Sequence, residues 1–600
     1  MIAHHTTVAQ LIFNAWPVSK KKSYKYCINT ICMTEVTKVL TTMESTAITN
    51  IINIALLHDT DPGASFQTMN KFAERYELDT KQKIAFEGIC SSFMLSYLSD
   101  MIVDNYDFYE SQLRQRGGRD QLLMFLTGPG GSGKTYVVHC SRLYCKLFCK
   151  AIGKPFYKST FAVSGVTHLK ASIAREKTVH FSALMQNKVL YNELHSDFIW
   201  LDTKILIVEG ISTAQKSFLV KLDAKLRELT HNNELLYGGI NLVFVGDFLQ
   251  LRPVVGKPIY DDFGDIHWHG SLNSCVMLDQ GLHRFKKDPE WGEILSRIYC
   301  GYTTEEDINK INARIVGQVN LPDNVDCMET RVAYACLTNA CRNQVIYDCF
   351  LRYVRDNSPP YNSDIEPSNS VVLIKGIVSR KGNIAGSEFR HILWTVGNDH
   401  NVIGFNNIKV DPCLKLFYGC PLQISCNTGT KGKIIFKETT VNFAGVKWKE
   451  GYNPDAQNYQ GHKVMSGTVD DVNSLLVQFQ GGAIKEVKAE KFSCTIKFEG
   501  NDETLSGLEI TQFPLNIALA ATLNKMEGQT KDIMIVVDQT VTLPGWMYFV
   551  LSRVNSRNGL FLLQPVTREM LMPLSLNIED ELMWLRMLEN EYIRHLRVHE

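Results

Sequence analysis

Apolar residues along the chain fall into short unbroken runs and longer periodic ones, and their alternation sets the expected architecture. The run LLMFL at 122–126 reads as a buried strand, and YVVHCSRLYCKLF from 136 continues as a helix. KILIVEG at 204–210 and INLVFVG at 240–246 read as further strands. Strands alternating with helical stretches predict an α/β protein with a parallel sheet. Residues 1–65 lack a period and read as a loosely structured N-terminal extension. RDNSPPYNSDIEPSNS at 355–370 is a linker or long surface loop, because Pro, Ser and Asn interrupt both periods. From 371 to 510 the pattern changes to short β-rich runs punctuated by glycine, among them GKIIF, TVNFAGVKW, SLLVQF and CTIKFEG. That region predicts a small barrel or sheet. NIALAAT and IMIVVD return to the α/β pattern, and from about 578 the tail reads as an amphipathic helix whose Leu582, Leu585 and Leu588 pack on the body.

Six hundred residues exceed one core and suggest three or four domains. An apolar fraction of 45% and a charged fraction of 21% are those of an ordinary soluble protein. With 63 basic and 63 acidic residues the net charge is zero, so a nucleic-acid surface must be a local groove. Sixteen cysteines are scattered without a CxxC pair, as expected for reduced thiols in an intracellular protein. Cys140, Cys145 and Cys149 are spaced for helix packing rather than for a metal. The run LIFNAWPV precedes Lys20, Lys21 and Lys22, which reverses the charge order of a secretory signal, and no run approaches a membrane span. The lysines read as a solvated loop, with part of a nuclear address as the alternative.

Chemistry enters between the first strand and its helix. Gly128-Pro129-Gly130-Gly131-Ser132-Gly133-Lys134-Thr135 has the spacing of a phosphate-binding loop. Its glycines allow backbone N–H groups to wrap phosphates without Cβ clashes. Lys134 is placed to reach the β and γ phosphates, and Thr135 offers a hydroxyl to Mg²⁺. Further along, INLVFV ends in Gly246-Asp247-Phe248-Leu249-Gln250, a turn where Gln250 can sense a γ-phosphate.

An ordered series of short motifs then gives a family resemblance. Leu78-Asp79-Thr80-Lys81-Gln82, the phosphate loop, Ala162-Val163-Ser164-Gly165-Val166, Leu282-His283-Arg284-Phe285, Leu337-Thr338-Asn339, Lys525-Met526-Glu527-Gly528 and Leu551-Ser552-Arg553 follow one another over roughly 75–565. In this the chain resembles the PIF-one/RecD-like DNA helicases of superfamily 1, group B. The resemblance implies two RecA-like P-loop motor domains with ATP and Mg²⁺ between them, moving 5′ to 3′ on single-stranded DNA and opening forks. By the same resemblance Gln82 reads adenine, Gly528 lies at the nucleotide, and Gln250 senses the γ-phosphate. Arg284 and Arg553 reach the transferring phosphoryl group, while Ser164, Gly165, Thr338, Asn339 and Lys525 contact DNA. The implied organisation is an extension at 1–65, a first motor domain at 66–256, and a second at 257–370 and 511–565. Connecting segments and an SH3-like β-rich insertion occupy 371–510, and a helical tail 566–600. A monomer without membrane attachment is expected, in the nucleus, with the cytoplasm as the alternative.

The sequence departs from that family at its second nucleotide motif, where Leu206-Ile207-Val208-Glu209-Gly210 replaces the usual Asp-Glu ending. Glu209 takes the metal-side position, and Gly210 stands where the water-activating glutamate belongs. Loss of a positioned general base typically lowers a rate by about 10² to 10⁴, unless Glu209 serves instead. Glu527 and Phe285 are further departures. They suit a divergent viral or mobile-element lineage, or a noncatalytic homologue that binds ATP and DNA.

Overall fold

The computed structural model describes residues 48–597, excepting 57–65, 99–105, 158, 167–202, 251, 254–255, 262–263, 280–284, 321–331, 366–370, 381–402, 407–409, 427, 429–434, 436–438, 480, 499–503, 523–525, 527–529, 538–544 and 572–575. The chain divides into two compact units, one of residues 1–281 and 574–600, the other of residues 282–573.

The first unit is built on a wholly parallel sheet of β1 (Leu123–Thr127), β2 (Phe161–Gly165), β3 (Ile205–Glu209), β4 (Asn241–Val245) and β5 (Ser274–Met277), in the order β2-β3-β4-β1-β5. Every residue of β1, β3 and β4 is buried, the condition for a continuous apolar run with helices over the sheet. Around it lie α1 (Met69–Arg75), α2 (Thr80–Leu98), α3 (Tyr106–Gln115), α4 (Lys134–Ala151) and α5 (Lys216–Thr230). Helix α2 is apolar on nearly every side and sits within the core. Its Phe86 stacks on Phe72 of α1 at 5.5 Å, and Tyr144 of α4 meets both edge-on. Cys140, Cys145 and Cys149 are buried in that helical layer as free thiols.

Two boundaries differ from the sequence expectation. Residues 48–56, assigned to the unstructured extension, are helical, with Ile48, Ile52 and Ala55 buried in the first core. The first unit also continues past residue 256 to 281, because β5 hydrogen-bonds along β1. The tail helix, here α10 (Leu576–Arg597), belongs to this unit too, with Leu585 and Tyr592 buried.

The second unit opens with α6 (Pro289–Tyr299) and α7 (Glu305–Asn312), then β6 (Val332–Cys336) and α8 (Asn339–Asn357). Asp288 caps α6 with Pro289 in its first turn, and Thr304 and Asp307 form a reciprocal capping box on α7. Helix α8 runs to Asn357, so the first three residues of the expected linker are helical. Strands β7 (Ala520–Thr522), β8 (Ile533–Val536) and β9 (Leu560–Leu562) join β6 in a second all-parallel sheet, β7-β6-β8-β9, with α9 (Trp546–Leu551) before β9. This is the second RecA-like α/β body. The intervening chain is β-rich as expected, arranged in three sheets. Strands 440–448, 472–478, 484–487, 421–424 and 515–517 form an antiparallel one, while 371–375 lies parallel to 462–468 in another. Of the run GKIIF at 432–436, only Ile435 is among the described residues, and it bridges Thr428.

Candidate nucleotide and nucleic-acid site

The phosphate loop joins the carboxyl end of β1 to the first turn of α4. Gly128, Gly131 and Gly133 all have positive φ, at 143°, 90° and 90°. A Cβ at Gly128 would lie 2.6 Å from the Leu278 carbonyl, so glycine is required there by space as well as by conformation, and one at Gly133 would lie 2.5 Å from Nε2 of Gln82 and displace that amide. Pro129 and Gly130 are buried and Gly131 is exposed, placing the loop at the surface end of the sheet. Lys134 Nζ donates to the carbonyls of Gly128 at 2.6 Å and Pro129 at 3.0 Å, and Thr135 is exposed on the first turn of α4. The hydroxyl of Ser132 is buried and makes no hydrogen bond among the described residues. An unsatisfied buried hydroxyl in a glycine-rich loop at a helix N-terminus fits an anion bound there.

Gln82 adjoins this loop. Its Oε1 accepts the Asp79 N–H at 3.2 Å while Asp79 Oδ1 accepts the Gln82 N–H at 2.9 Å, a reciprocal cap on α2. Its Nε2 donates to the Ser132 carbonyl at 3.0 Å. The residue expected to read a base is therefore also a brace between α2 and the phosphate loop.

The ends of the two neighbouring strands carry carboxylates. Glu209 is the last residue of β3, 6% exposed, and pairs in register with Gly165 of β2 and Val245 of β4. Gly210 follows in the left-handed region, φ 80° and ψ 26°, with its N–H on the Val245 carbonyl at 2.7 Å and its carbonyl accepting from Thr213 Oγ1 at 2.9 Å. After β4, Asp247 is 2% exposed; its Oδ2 accepts from Gln250 Nε2 at 2.7 Å, and Gln250 is buried too. Sequence reading assigned no role to Asp247, although it lies in the same turn as Gln250. Here it holds the Gln250 amide. Ser164 is on β2, its hydroxyl buried and without a hydrogen bond among the described residues, and Gly165 is buried at the strand end. Glu209 and Thr135 provide hard oxygen donors of the kind Mg²⁺ takes.

In the second unit Thr338 is exposed and caps α8 by accepting the Cys341 N–H at 3.1 Å, with Asn339 beginning the helix. Arg553 is 3% exposed: its Nε donates to the Phe549 carbonyl at 3.0 Å and its guanidinium lies 4.4 Å from the Phe549 ring centre. It is thus packed within its own unit. Arg284, Lys525 and Gly528 lie outside the described residues.

Comparison with known proteins agrees with this geometry. Residues 108–263 match the model of the PIF1-like helicase family. A curated relative is the ATP-dependent DNA helicase PIF1 of Emericella nidulans, 23% identical over 471 residues, covering 74% of this chain and 58% of that protein. The chain spans just over half the length of the curated fungal and vertebrate relatives it matches. Two solved structures share the fold with a TM-score of 0.52 and cover 81% of this chain and 98% of theirs. They are a Bacteroides Pif1 helicase in complex with ADP-AlF3 and ssDNA, 18% identical, and a structure of DNA unwinding at forked dsDNA by two coordinating Pif1 helicases, 19% identical.

Proposed function

We propose that this chain, whose residues 108–263 match the PIF1-like helicase family, is an ATP-dependent DNA helicase that travels 5′ to 3′ on single-stranded DNA and opens forked duplexes. The observation that carries this reading is the set of groups brought to the carboxyl ends of adjacent strands of one sheet. The phosphate loop follows β1, Asp247 and Gln250 follow β4, and Glu209 ends β3. Ligands of open α/β sheets bind at that edge.

Each residue has a derivable task. Lys134 exchanges two neutral carbonyl acceptors for phosphate oxygens, a stronger, charge-assisted pairing. Gly130 to Lys134 and the Ser132 hydroxyl supply donors, and the N-terminus of α4 adds its dipole. Thr135 and Glu209 would hold Mg²⁺, which would supply neutralisation of phosphate charge. Asp247 fixes the amide of Gln250, which keeps it directed for sensing the γ-phosphate. With glycine at 210, Glu209 serves as the base for water only by giving up its metal-side role. Arg284 and Arg553 are proposed as the phosphoryl-facing arginines, Gln82 and Gly528 as nucleotide contacts, and Ser164, Gly165, Thr338, Asn339 and Lys525 as DNA contacts. No helix among the described residues is long and apolar enough to cross a membrane, and an intracellular, nuclear site of action suits a DNA substrate.

ATP hydrolysis by the purified chain with and without single-stranded DNA tests the proposal. DNA-stimulated turnover abolished by Lys134→Ala is expected. ATP and DNA binding without turnover would instead assign the fold a noncatalytic role.

A further inference from the structure

Helix α10 lies some five hundred residues after the adenine-motif helix α2, yet it is locked onto it at two points. Tyr592, fully buried, donates from Oη to the Gly117 carbonyl at 3.1 Å, and a Cβ on Gly88 of α2 would lie 2.2 Å from that oxygen. One turn earlier, Glu589 Oε1 accepts the Met277 N–H at 2.7 Å and lies 3.5 Å from Lys81 Nζ, which donates to the Met277 carbonyl at 2.8 Å. Lys81 is the neighbour of Gln82, the residue that braces the phosphate loop through Ser132.

We propose that α10 is a positioning element of the nucleotide site, with Glu589 holding Lys81, and through it the first turn of α2, where Gln82 supports the phosphate loop. The inference rests on the nucleotide-site reading above. Glu589 touches no reacting atom; it acts through Lys81. The pair is favourably placed to matter because Glu589 is largely buried and Lys81 is anchored on the Met277 carbonyl beside it, whereas the other carboxylate facing Lys81, Asp279 at 3.5 Å, is exposed and screened by solvent. Only a short, unbroken series of contacts separates α10 from the loop, all of it inside one compact unit.

Equilibrium binding of a fluorescent ATP analogue to the full chain tests this with Glu589→Gln, which can still accept from Met277 but removes the charge opposite Lys81. Affinity is expected to fall more than threefold, with faster amide exchange at 128–135, unchanged exchange in β4, and no effect of Glu591→Gln on the exposed side of the same helix. Affinity within threefold of wild type, while Lys134→Ala abolishes binding, overturns the proposal and leaves the nucleotide site intact. A loss accompanied by equally faster exchange in β4 also overturns it, since the effect is then general loosening. Failure of the wild-type chain to bind the analogue removes the nucleotide site and this inference together.

Discussion

The side-chain amide of Gln82 donates to the main-chain carbonyl of Ser132 at 3.0 Å, joining the first turn of α2 to the phosphate loop fifty residues later. A residue whose position in the motif suggests base recognition is thereby a structural member of the loop. Gln82→Ala removes this buried bond and half of the reciprocal cap with Asp79. A loss of about 1–2 kcal/mol is expected, read by urea denaturation, together with weaker binding of GTP as well as ATP. Weakening confined to ATP would mean that only base reading had been lost.

Gly210 is held at φ 80° by hydrogen bonds to the peptide groups on both sides of its Cα. A side chain there strains the backbone by about 1–2 kcal/mol. Gly210→Ala should therefore lower unfolding stability by that amount, and Gly210→Asn by less, because asparagine tolerates the left-handed region. For the same reason Gly210→Glu does not simply restore a general base: its expected turnover stays near wild type. A large gain in ATPase would show that the strand end relaxes and that the missing carboxylate limited the rate.

Gly88 and Tyr592 make a coupled pair. Alanine at 88 gains helix propensity but meets Tyr592 Oη at 2.2 Å, whereas the next ring atom stands 3.5 Å away. Gly88→Ala is expected to lose about 1–3 kcal/mol by overpacking. Tyr592→Phe alone loses about 1 kcal/mol with its bond to Gly117. The double variant should be more stable than Gly88→Ala, a non-additivity that a double-mutant cycle by thermal unfolding reads directly.

Asp307 sets a pH dependence in the second unit. Burial opposes its ionisation, but the Arg297 side chain, bonded at 2.7 and 3.0 Å, and the Thr304 cap draw its pKa down to about 2. The folded value lies below the unfolded one near 3.9. Its contribution, about 2 kcal/mol, is thus complete above about pH 4 and lost as the pH falls through about 2. In Asp307→Asn the second unit should start less stable at neutral pH and show a flatter stability curve between pH 4 and 2. An unchanged acid limb would assign the stabilisation elsewhere.

Local pattern by itself determined β1, β3, β4 and the helix after the phosphate loop, because apolar runs of strand length and a glycine-rich turn carry their structural meaning in adjacent residues. The nucleotide motif, the parallel α/β class and the β-rich middle were legible for the same reason. The helix at 48–56 was also written in spacing, through Ile48, Ile52 and Ala55, but that run is too short to rise above its polar surroundings. Tertiary structure alone decided that β5 extends the first sheet, that α10 returns to the first unit, that Asp247 holds the Gln250 amide, and that Glu589 and Tyr592 meet the main chain at Met277 and Gly117. Those contacts join residues up to hundreds of positions apart. Side-chain periodicity records which face of an element is apolar, but not which distant element covers it; that choice is made by packing and by pairing buried polar groups.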